Sequence, residues 1–230
     1  MLYKFILKMS DNILSSQFFN YIYLPNKEII SFYYSNNEVS DINKSYIQQE
    51  LISNKDIIIV PSDSNCLIHS ILVSLYNKSF NNFINIITTL SSEFEITLNT
   101  ELFEYDPNIS NYFNNNQTFF SLFAQHAIRM AVRKYWCFYN SEHDYHKNPD
   151  MHMNEYAVDG LARNLLCKIF CIPELIVYQA FNDESRKKGI HIIKPLGIPQ
   201  DSSNQMYFYP FNEFNVEVFT SNSKHYDALI

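Results

Sequence analysis

The sequence predicts an α+β fold in which a small mixed β-sheet is packed between helices. The chain has 230 residues, and 47% of them are hydrophobic, which is sufficient for one sizeable core. Three long segments carry apolar residues at helical spacing. The other apolar runs are short and rich in β-branched residues, as strands are. The predicted strands are residues 56–60, 175–178, 191–194, 206–209, 216–219 and 226–230.

The first 54 residues carry no recognisable chemistry. We interpret residues 1–54 as an N-terminal extension or accessory lobe that precedes the main domain, residues 55–230. Within the extension, residues 18–24 and 28–34 are rich in aromatic and β-branched types, which predicts a hairpin. Residues 41–51 predict a short helix. The lobe either supports packing or helps to bind a partner, and both roles are open.

The first long helix is predicted over residues 66–76, and Cys66 begins it. The polar loop before it contains Ser62, Asp63 and Asn65, which are residue types that favour helix starts. The helix dipole favours a thiolate at this position, and the N–H groups of the first turn can receive an oxyanion. Cys66 is therefore a candidate nucleophile. The alternative is a small buried residue, because free cysteine is among the most buried types.

The C-terminal stretch supplies a candidate base and a candidate orienting acid. His225 and Asp227 lie two positions apart, and in a strand such residues point the same way, so Asp227 can hold the ring of His225. A nucleophile, a base and an orienting group are the parts that thiol catalysis requires. His69 is closer to Cys66 in sequence, but it lies inside the same helix, and we expect it to have a structural or surface role.

The middle of the chain predicts two further helices and several loops. Residues 83–90 and 94–103 give mixed helical signals, and the Asn-rich residues 106–117 predict a loop. Residues 118–139 predict one helix, and residues 153–171 predict another. The apolar face of the helix over residues 118–139 consists of Phe119, Leu122, Phe123, Ala127, Met130 and Ala131.

A stretch rich in histidine and carboxylate lies between these two helices. Such side chains are zinc ligands, but their spacing here matches no i, i+4 pair on a helix, and no cysteine is adjacent. We interpret the stretch as a polar loop near the cleft, and we expect no metal site and no cofactor. The residues concerned are Glu142, His143, Asp144, His146, Asp150 and His152.

Composition argues against several classes of protein. The net charge of −7, without a dense basic patch, argues against nucleic-acid binding. No run approaches the roughly 18 apolar residues of a membrane span, and residues 1–8 are too short and too rich in lysine for a signal peptide. The four cysteines form no Cys-x-x-Cys pair, so we expect reduced thiols and a cytoplasmic location. The bias toward Asn, Ile, Tyr and Phe fits an AT-rich genome, such as that of an intracellular bacterium or a large virus.

Two motifs resemble those of the ovarian-tumour (OTU) family of cysteine proteases. Residues 63–71, Asp-Ser-Asn-Cys-Leu-Ile-His-Ser-Ile, resemble the family's Asp-Gly-Asn-Cys-Leu signature. Residues 225–229, His-Tyr-Asp-Ala-Leu, resemble its terminal His-Tyr-Asp/Asn-x-Leu motif. Ser64 stands where the family usually has glycine. The order of the motifs also suits the family, and the resemblance covers roughly residues 55–230 through its two ends and a weaker middle.

The resemblance implies a papain-like OTU fold and a thiol-dependent deubiquitinase that needs no cofactor. Its partner would be ubiquitin, a polyubiquitin chain or a related modifier, in the cytoplasm, or in a host cytosol for a bacterial effector or a viral protein. Tyr156 is a candidate ubiquitin contact, and the extension could support ubiquitin binding. The implied catalytic residues are Cys66, His225 and Asp227, with Asp63, Ser64 and Asn65 as the oxyanion loop.

Two alternatives to a deubiquitinase stay open. The chain could be a non-catalytic ubiquitin-binding module that kept the fold, for which Ser64 is the one supporting feature. It could also be another papain-like cysteine peptidase or an acyltransferase with the same thiol chemistry, although the terminal His-Tyr-Asp motif disfavours this reading.

Overall fold

The computed structural model of the chain describes six segments and one further residue. Its strands are β1 (Ile22–Leu24), β2 (Ile57–Ile59), β3 (Leu175–Gln179), β4 (Gly189–Ile193), β5 (Val216–Thr220) and β6 (Asp227–Leu229). Its helices are α1 (Cys66–Lys78), α2 (Phe80–Glu93), α3 (Ile109–Asn115), α4 (Gln117–Leu122) and α5 (Gly160–Ile169), with a 3₁₀ turn at Thr100–Phe103 and a π-helical turn at Phe123–Ile128. The described residues are 20–26, 28, 55–135, 160–179, 189–195, 212–220 and 225–230.

The six strands form one mixed sheet in the order β1-β2-β6-β5-β3-β4. Strands β3 and β5 are parallel, and the other neighbouring strands are antiparallel. All three residues of β6 are buried although successive side chains point to opposite faces, so both faces of the sheet are covered there. The predicted α+β class is therefore confirmed.

Helix α1 lies at the centre of the molecule. It packs on β5, β6 and α2, and every residue from Cys66 to Tyr76 is buried. The sequence predicts this helix over nearly the same residues, 66–76. Burial all round follows from its place between the sheet and other helices, because such a position leaves no face for solvent. Its polar residues His69, Ser70 and Ser74 therefore need hydrogen-bond partners inside the protein.

Residues 106–117 contain a helix, so the predicted loop is wrong there. The Asn108 side chain caps α3 by accepting a hydrogen bond from the Asn111 N–H at 3.0 Å. Tyr112 and Phe113 are buried in an aromatic cluster, and the ring centroids of Phe113 and Phe120 lie 4.5 Å apart. The burial of these two rings stabilises a helix that the Asn-rich composition does not favour.

The predicted helix over residues 118–139 is present but irregular. Helix α4 runs into the π-helical turn, and helical structure continues through residues 129–135. A π-helical turn contains more residues than an α-helical turn, so it rotates the residues that follow it. Met130, which follows the turn and is predicted to face the core, is consequently exposed. Leu122, also predicted to face the core, is exposed just before the turn, whereas Ala124 and Ile128 are fully buried.

Several predicted elements lie partly or wholly outside the described residues. These include most of residues 1–54, the predicted strand at 206–209, and the start of the helix predicted over 153–171. The described part of that helix, α5, ends before Cys171, whose φ of 53° lies in the left-handed region. Strand β1 lies within the first arm of the predicted hairpin, residues 18–24. It pairs with β2 and extends the same sheet, and the second arm lies mostly outside the described residues. Among the described residues, no helix is long and apolar enough to cross a membrane.

Candidate active site

The sheet brings the two ends of the main domain together. Strands β2 and β6 pair antiparallel, with Ile57 opposite Leu229 and Ile58 opposite Ala228. The end of β2 therefore lies beside the start of β6. The loop after β2 leads into α1 at Cys66, and His225 lies just before β6. Residues remote in sequence thus meet where β2 ends and β6 begins, two adjacent inner strands of the sheet.

Cys66, His225 and Asp227 form a hydrogen-bonded row at this end of the two strands. The imidazole of His225 is hydrogen-bonded to the Cys66 side chain, and its Nε2 lies 2.9 Å from Asp227 Oδ1. Cys66 is 7% exposed and Asp227 is 3% exposed, so the thiol and the carboxylate are shielded from water. The His225 side chain is 21% exposed, so the imidazole is partly open to solvent. A thiol, an imidazole and a carboxylate in contact in this order can generate a nucleophile.

The charges of the row favour a protonated imidazole. Burial by itself lowers the pKa of His225, but the Asp227 carboxylate and the Cys66 thiolate outweigh burial and raise this pKa to about 11. Protonated His225 can stabilise a thiolate at Cys66 and can later donate its proton to a leaving group.

Asp227 is held by the strand that leads to the nucleophile. Its Oδ1 accepts a second hydrogen bond from the backbone N–H of Val60 at 3.1 Å. Val60 follows directly after β2 and is itself 1% exposed. The carboxylate is therefore oriented by the backbone as well as by its own strand, and this restricts the ring of His225 in turn.

Ser70 joins the nucleophile helix to the segment that carries His225. Its Oγ lies 2.8 Å from the Cys66 carbonyl oxygen and 2.9 Å from the Tyr226 carbonyl oxygen, so the hydroxyl proton is shared between two acceptors. The Tyr226 hydroxyl accepts a hydrogen bond from the Arg163 guanidinium at 2.7 Å. These contacts fix the distance between α1 and the residues on either side of Tyr226.

Asp63 braces the loop before Cys66 and lies outside the hydrogen-bonded row. Its Oδ1 accepts from the Asn65 N–H at 2.8 Å, and its Oδ2 lies 3.3 Å from His69 Nε2. Burial raises the pKa of Asp63, but the bonds to His69 and Asn65 outweigh burial and hold it below its usual value. The other ring nitrogen of His69 lies 2.8 Å from the Tyr21 hydroxyl. His69 is fully buried, which excludes the surface position that was one of its two predicted places.

Ser64 and Asn65 are held by a residue that the sequence does not single out, Arg129. The Arg129 Nη2 donates to the carbonyl oxygen of Ser64 at 3.0 Å and to its hydroxyl at 2.9 Å. The Arg129 Nε donates to Asn65 Oδ1 at 2.7 Å. The only sequence signal for this contact is a charged residue among the apolar positions of a helix. The Cys66 N–H makes a long bond of 3.3 Å to the Asp63 carbonyl.

The structure thus brings together all the predicted site residues but one. Tyr156 lies outside the described residues, as does the polar stretch 142–152. The residues that sequence reasoning missed are the supporting ones, Ser70, Arg129 and Tyr21. Each is a common residue type whose function follows from its contacts, and no motif marks it.

Comparison with solved structures defines the class of fold, which is OTU-like. A ceOTUB1–ubiquitin aldehyde–UBC13~Ub complex matches with a TM-score of 0.57 and 14% identity, over 96% of this chain and 97% of that chain. An h/ceOTUB1–ubiquitin aldehyde–UBCH5B~Ub complex matches with a TM-score of 0.58 and 13% identity, over 100% and 98%. At this identity the likeness shows the fold alone. No family model and no curated protein sequence matches the chain.

Proposed function

We propose that this chain is a thiol-dependent deubiquitinase. It hydrolyses the peptide or isopeptide bond after the C-terminal glycine of ubiquitin or of a ubiquitin-like modifier. The observation that carries the proposal is the hydrogen-bonded row of Cys66, His225 and Asp227. The OTU-like fold, and the presence of ubiquitin aldehyde in both similar structures, support ubiquitin as the partner.

The mechanism assigns one role to each member of the row. The Cys66 thiolate attacks the carbonyl carbon of the C-terminal glycine, and the oxyanion that forms is received by backbone N–H groups of the loop from Asp63 to Cys66. A well-placed donor of this kind contributes about 3 kcal/mol. Protonated His225 then donates its proton to the leaving amine, while Asp227 stabilises the imidazolium. Water, deprotonated by His225, hydrolyses the resulting thioester and restores the thiol.

Other parts of the proposal concern location and domains. We place the activity in the cytoplasm, or in a host cytosol if the protein is a secreted bacterial effector or a viral protein. Residues 55–230 are proposed as the catalytic domain. Residues 1–54 are proposed as an extension that supports its packing, through strand β1, or supports ubiquitin binding. Tyr156 is proposed as a ubiquitin contact.

A non-catalytic ubiquitin-binding module is the first alternative, and the replacement of glycine by Ser64 gives it little support. The Ser64 hydroxyl has a place in the loop, where it accepts a hydrogen bond from Arg129 at 2.9 Å. A papain-like peptidase or an acyltransferase is the second alternative, since the same row of groups can act on another acyl substrate.

A ubiquitin probe with a thiol-reactive C-terminal warhead tests the proposal. We expect the wild-type protein to shift on a gel and Cys66→Ala to stay unshifted. Cys167→Ala is the matched control, because Cys167 is also a buried thiol but lies away from the row. Burial raises its pKa to about 12, so it should not react. Cleavage of polyubiquitin by the wild-type protein would then establish turnover.

The outcomes separate the three functions. No shift in a folded wild-type protein would refute a deubiquitinase of this kind. Binding of ubiquitin without a shift would support the non-catalytic module. Turnover of another acyl substrate that depends on Cys66, without any reaction with ubiquitin probes, would support a different cysteine hydrolase or an acyltransferase.

A further inference from the structure

Arg129 contacts the loop before Cys66 at three points. Its guanidinium bonds the Ser64 carbonyl at 3.0 Å, the Ser64 hydroxyl at 2.9 Å and the Asn65 side-chain oxygen at 2.7 Å. Arg129 is 3% exposed, and a buried charge is costly unless it is well hydrogen-bonded. A guanidinium at this position is therefore fixed by the loop, and it fixes the loop in return.

The π-helical turn sets the direction of the Arg129 side chain. Arg129 follows directly after Phe123–Ile128. In a regular helix each residue turns by about 100°, so one extra residue in a turn moves all later side chains around the axis by about that angle. The irregular turn thus decides that Arg129, and not a neighbour, reaches the loop.

Contact with Arg129 alters how α1 begins. Asn65 is at the N-cap position, where asparagine usually accepts a hydrogen bond from an N–H of the first turn. Here its side chain makes no capping bond, because its oxygen is directed to Arg129. The Asn65 side chain therefore does not occupy the positive end of the helix dipole at the first turn of α1.

The same contact orients the peptide group between Ser64 and Asn65. In a planar trans peptide the carbonyl and the N–H point in opposite directions. Arg129 holds the Ser64 carbonyl, and the Asn65 N–H accordingly points to the Asp63 carboxylate at 2.8 Å. The loop is thus held from both sides, and the next N–H, that of Cys66, donates a long bond of 3.3 Å to the Asp63 carbonyl.

We infer that Arg129 is a positioning residue that holds the loop Ser64–Asn65 so that the backbone N–H groups at Cys66 can receive the oxyanion. Because hydrolysis at Cys66 is itself proposed, this role rests on the proposed function. Arg129 does not touch the reacting atoms. Its loss should lower the rate of a reaction that forms an oxyanion, and it should leave the nucleophilicity of the thiol nearly unchanged.

Two reactions of the same thiol separate these effects. Alkylation of Cys66 by iodoacetamide displaces iodide from a methylene carbon and forms no oxyanion. Hydrolysis of a ubiquitin C-terminal coumarin amide forms one. For Arg129→Lys, which keeps a charge but loses the planar fork, we expect kcat to fall about 10- to 100-fold with KM nearly unchanged. The alkylation rate should stay within about twofold of that of the wild type.

Two further variants serve as controls. Arg133→Lys is the matched substitution one turn later on the same helix, where the side chain is exposed, and it should leave both rates unchanged. Ser64→Gly removes only the hydroxyl acceptor, so its kcat should fall less than that of Arg129→Lys. Thermal unfolding of each variant checks that the fold is retained, and Ser64→Gly keeps the test valid if Arg129→Lys does not fold.

Each outcome has one meaning. Unchanged kcat in a folded Arg129→Lys protein, or alkylation and hydrolysis falling together, would overturn the positioning role. If wild-type protein rejects the ubiquitin substrate but hydrolyses p-nitrophenyl acetate at Cys66, the substrate proposal fails, and the comparison is made with the ester. If the wild-type thiol is alkylated but hydrolyses neither substrate, both proposals fail.

Discussion

Asp227→Asn removes the negative charge of this residue and keeps an oxygen acceptor in place of Oδ1. One oxygen, Oδ1, accepts both from the Val60 N–H at 3.1 Å and from His225 Nε2 at 2.9 Å. The amide oxygen of asparagine can occupy the same position and accept both bonds. Asp227→Asn therefore tests the effect of charge on His225 with little change in geometry.

The expected effect is a shift of the alkaline limb of activity to lower pH. Burial lowers the pKa of His225, but Asp227 and the Cys66 thiolate raise it to about 11, so the imidazolium is present below that pH and is lost above it. An adjacent carboxylate raises a neighbouring pKa by about 1–3 units. Removal of its charge should therefore move the alkaline limb down by about 1–3 pH units.

The assay is kcat/KM for a ubiquitin C-terminal coumarin amide, measured from about pH 6 to about pH 11, because this profile reports the ionisation of the free enzyme. Glu213→Gln is the matched control, since it removes one negative charge from an exposed position. Its profile should coincide with that of the wild type. If the alkaline limb of Asp227→Asn coincides as well, the carboxylate does not set the ionisation of His225, and the reasoning is refuted.

Two further predictions concern stability. Ser70→Ala should lower the free energy of unfolding by about 1–3 kcal/mol, because the Tyr226 carbonyl loses its hydroxyl donor. Urea denaturation measures this loss. Ser74→Ala is the control and should cost less, because the Ser74 hydroxyl only accepts a 3.5 Å bond from the Glu217 N–H. Equal losses in the two variants would contradict the bridging role of Ser70. Phe83→Ala should cost about 3–5 kcal/mol, because this fully buried ring packs against other aromatic rings. Phe103→Ala is the control, because Phe103 is half-exposed. A similar loss of unfolding free energy in both variants would argue against the aromatic cluster as a stabilising core.

Local patterns predicted several elements because their signals are short-range. Helix α1 and strands β2, β3 and β5 lie close to the predicted ranges, since helical spacing and β-branched runs reflect burial within one element. The sequence also placed the thiol at a helix start and the imidazole beside a strand. These positions follow from residue types that lie next to each other in the chain.

Other features escaped prediction because distant contacts outweigh local preference. Helix α3 forms in an Asn-rich segment because Tyr112 and Phe113 are buried by other elements. The π-helical turn precedes Met130 and exposes it, although regular helical spacing would bury it. Neither the partners of the two rings nor the extra residue in the turn has a signal in the local pattern.

The sequence by itself determined which groups are available, namely a thiol at a helix start and an imidazole with a carboxylate two positions later. Only the tertiary structure decided that they meet, because antiparallel pairing of β2 with β6 joins segments remote in the chain. The same holds for Arg129, which reaches Ser64 and Asn65 from another helix. Burial makes such long-range contacts strong and specific, and it depends on the packing of the whole chain.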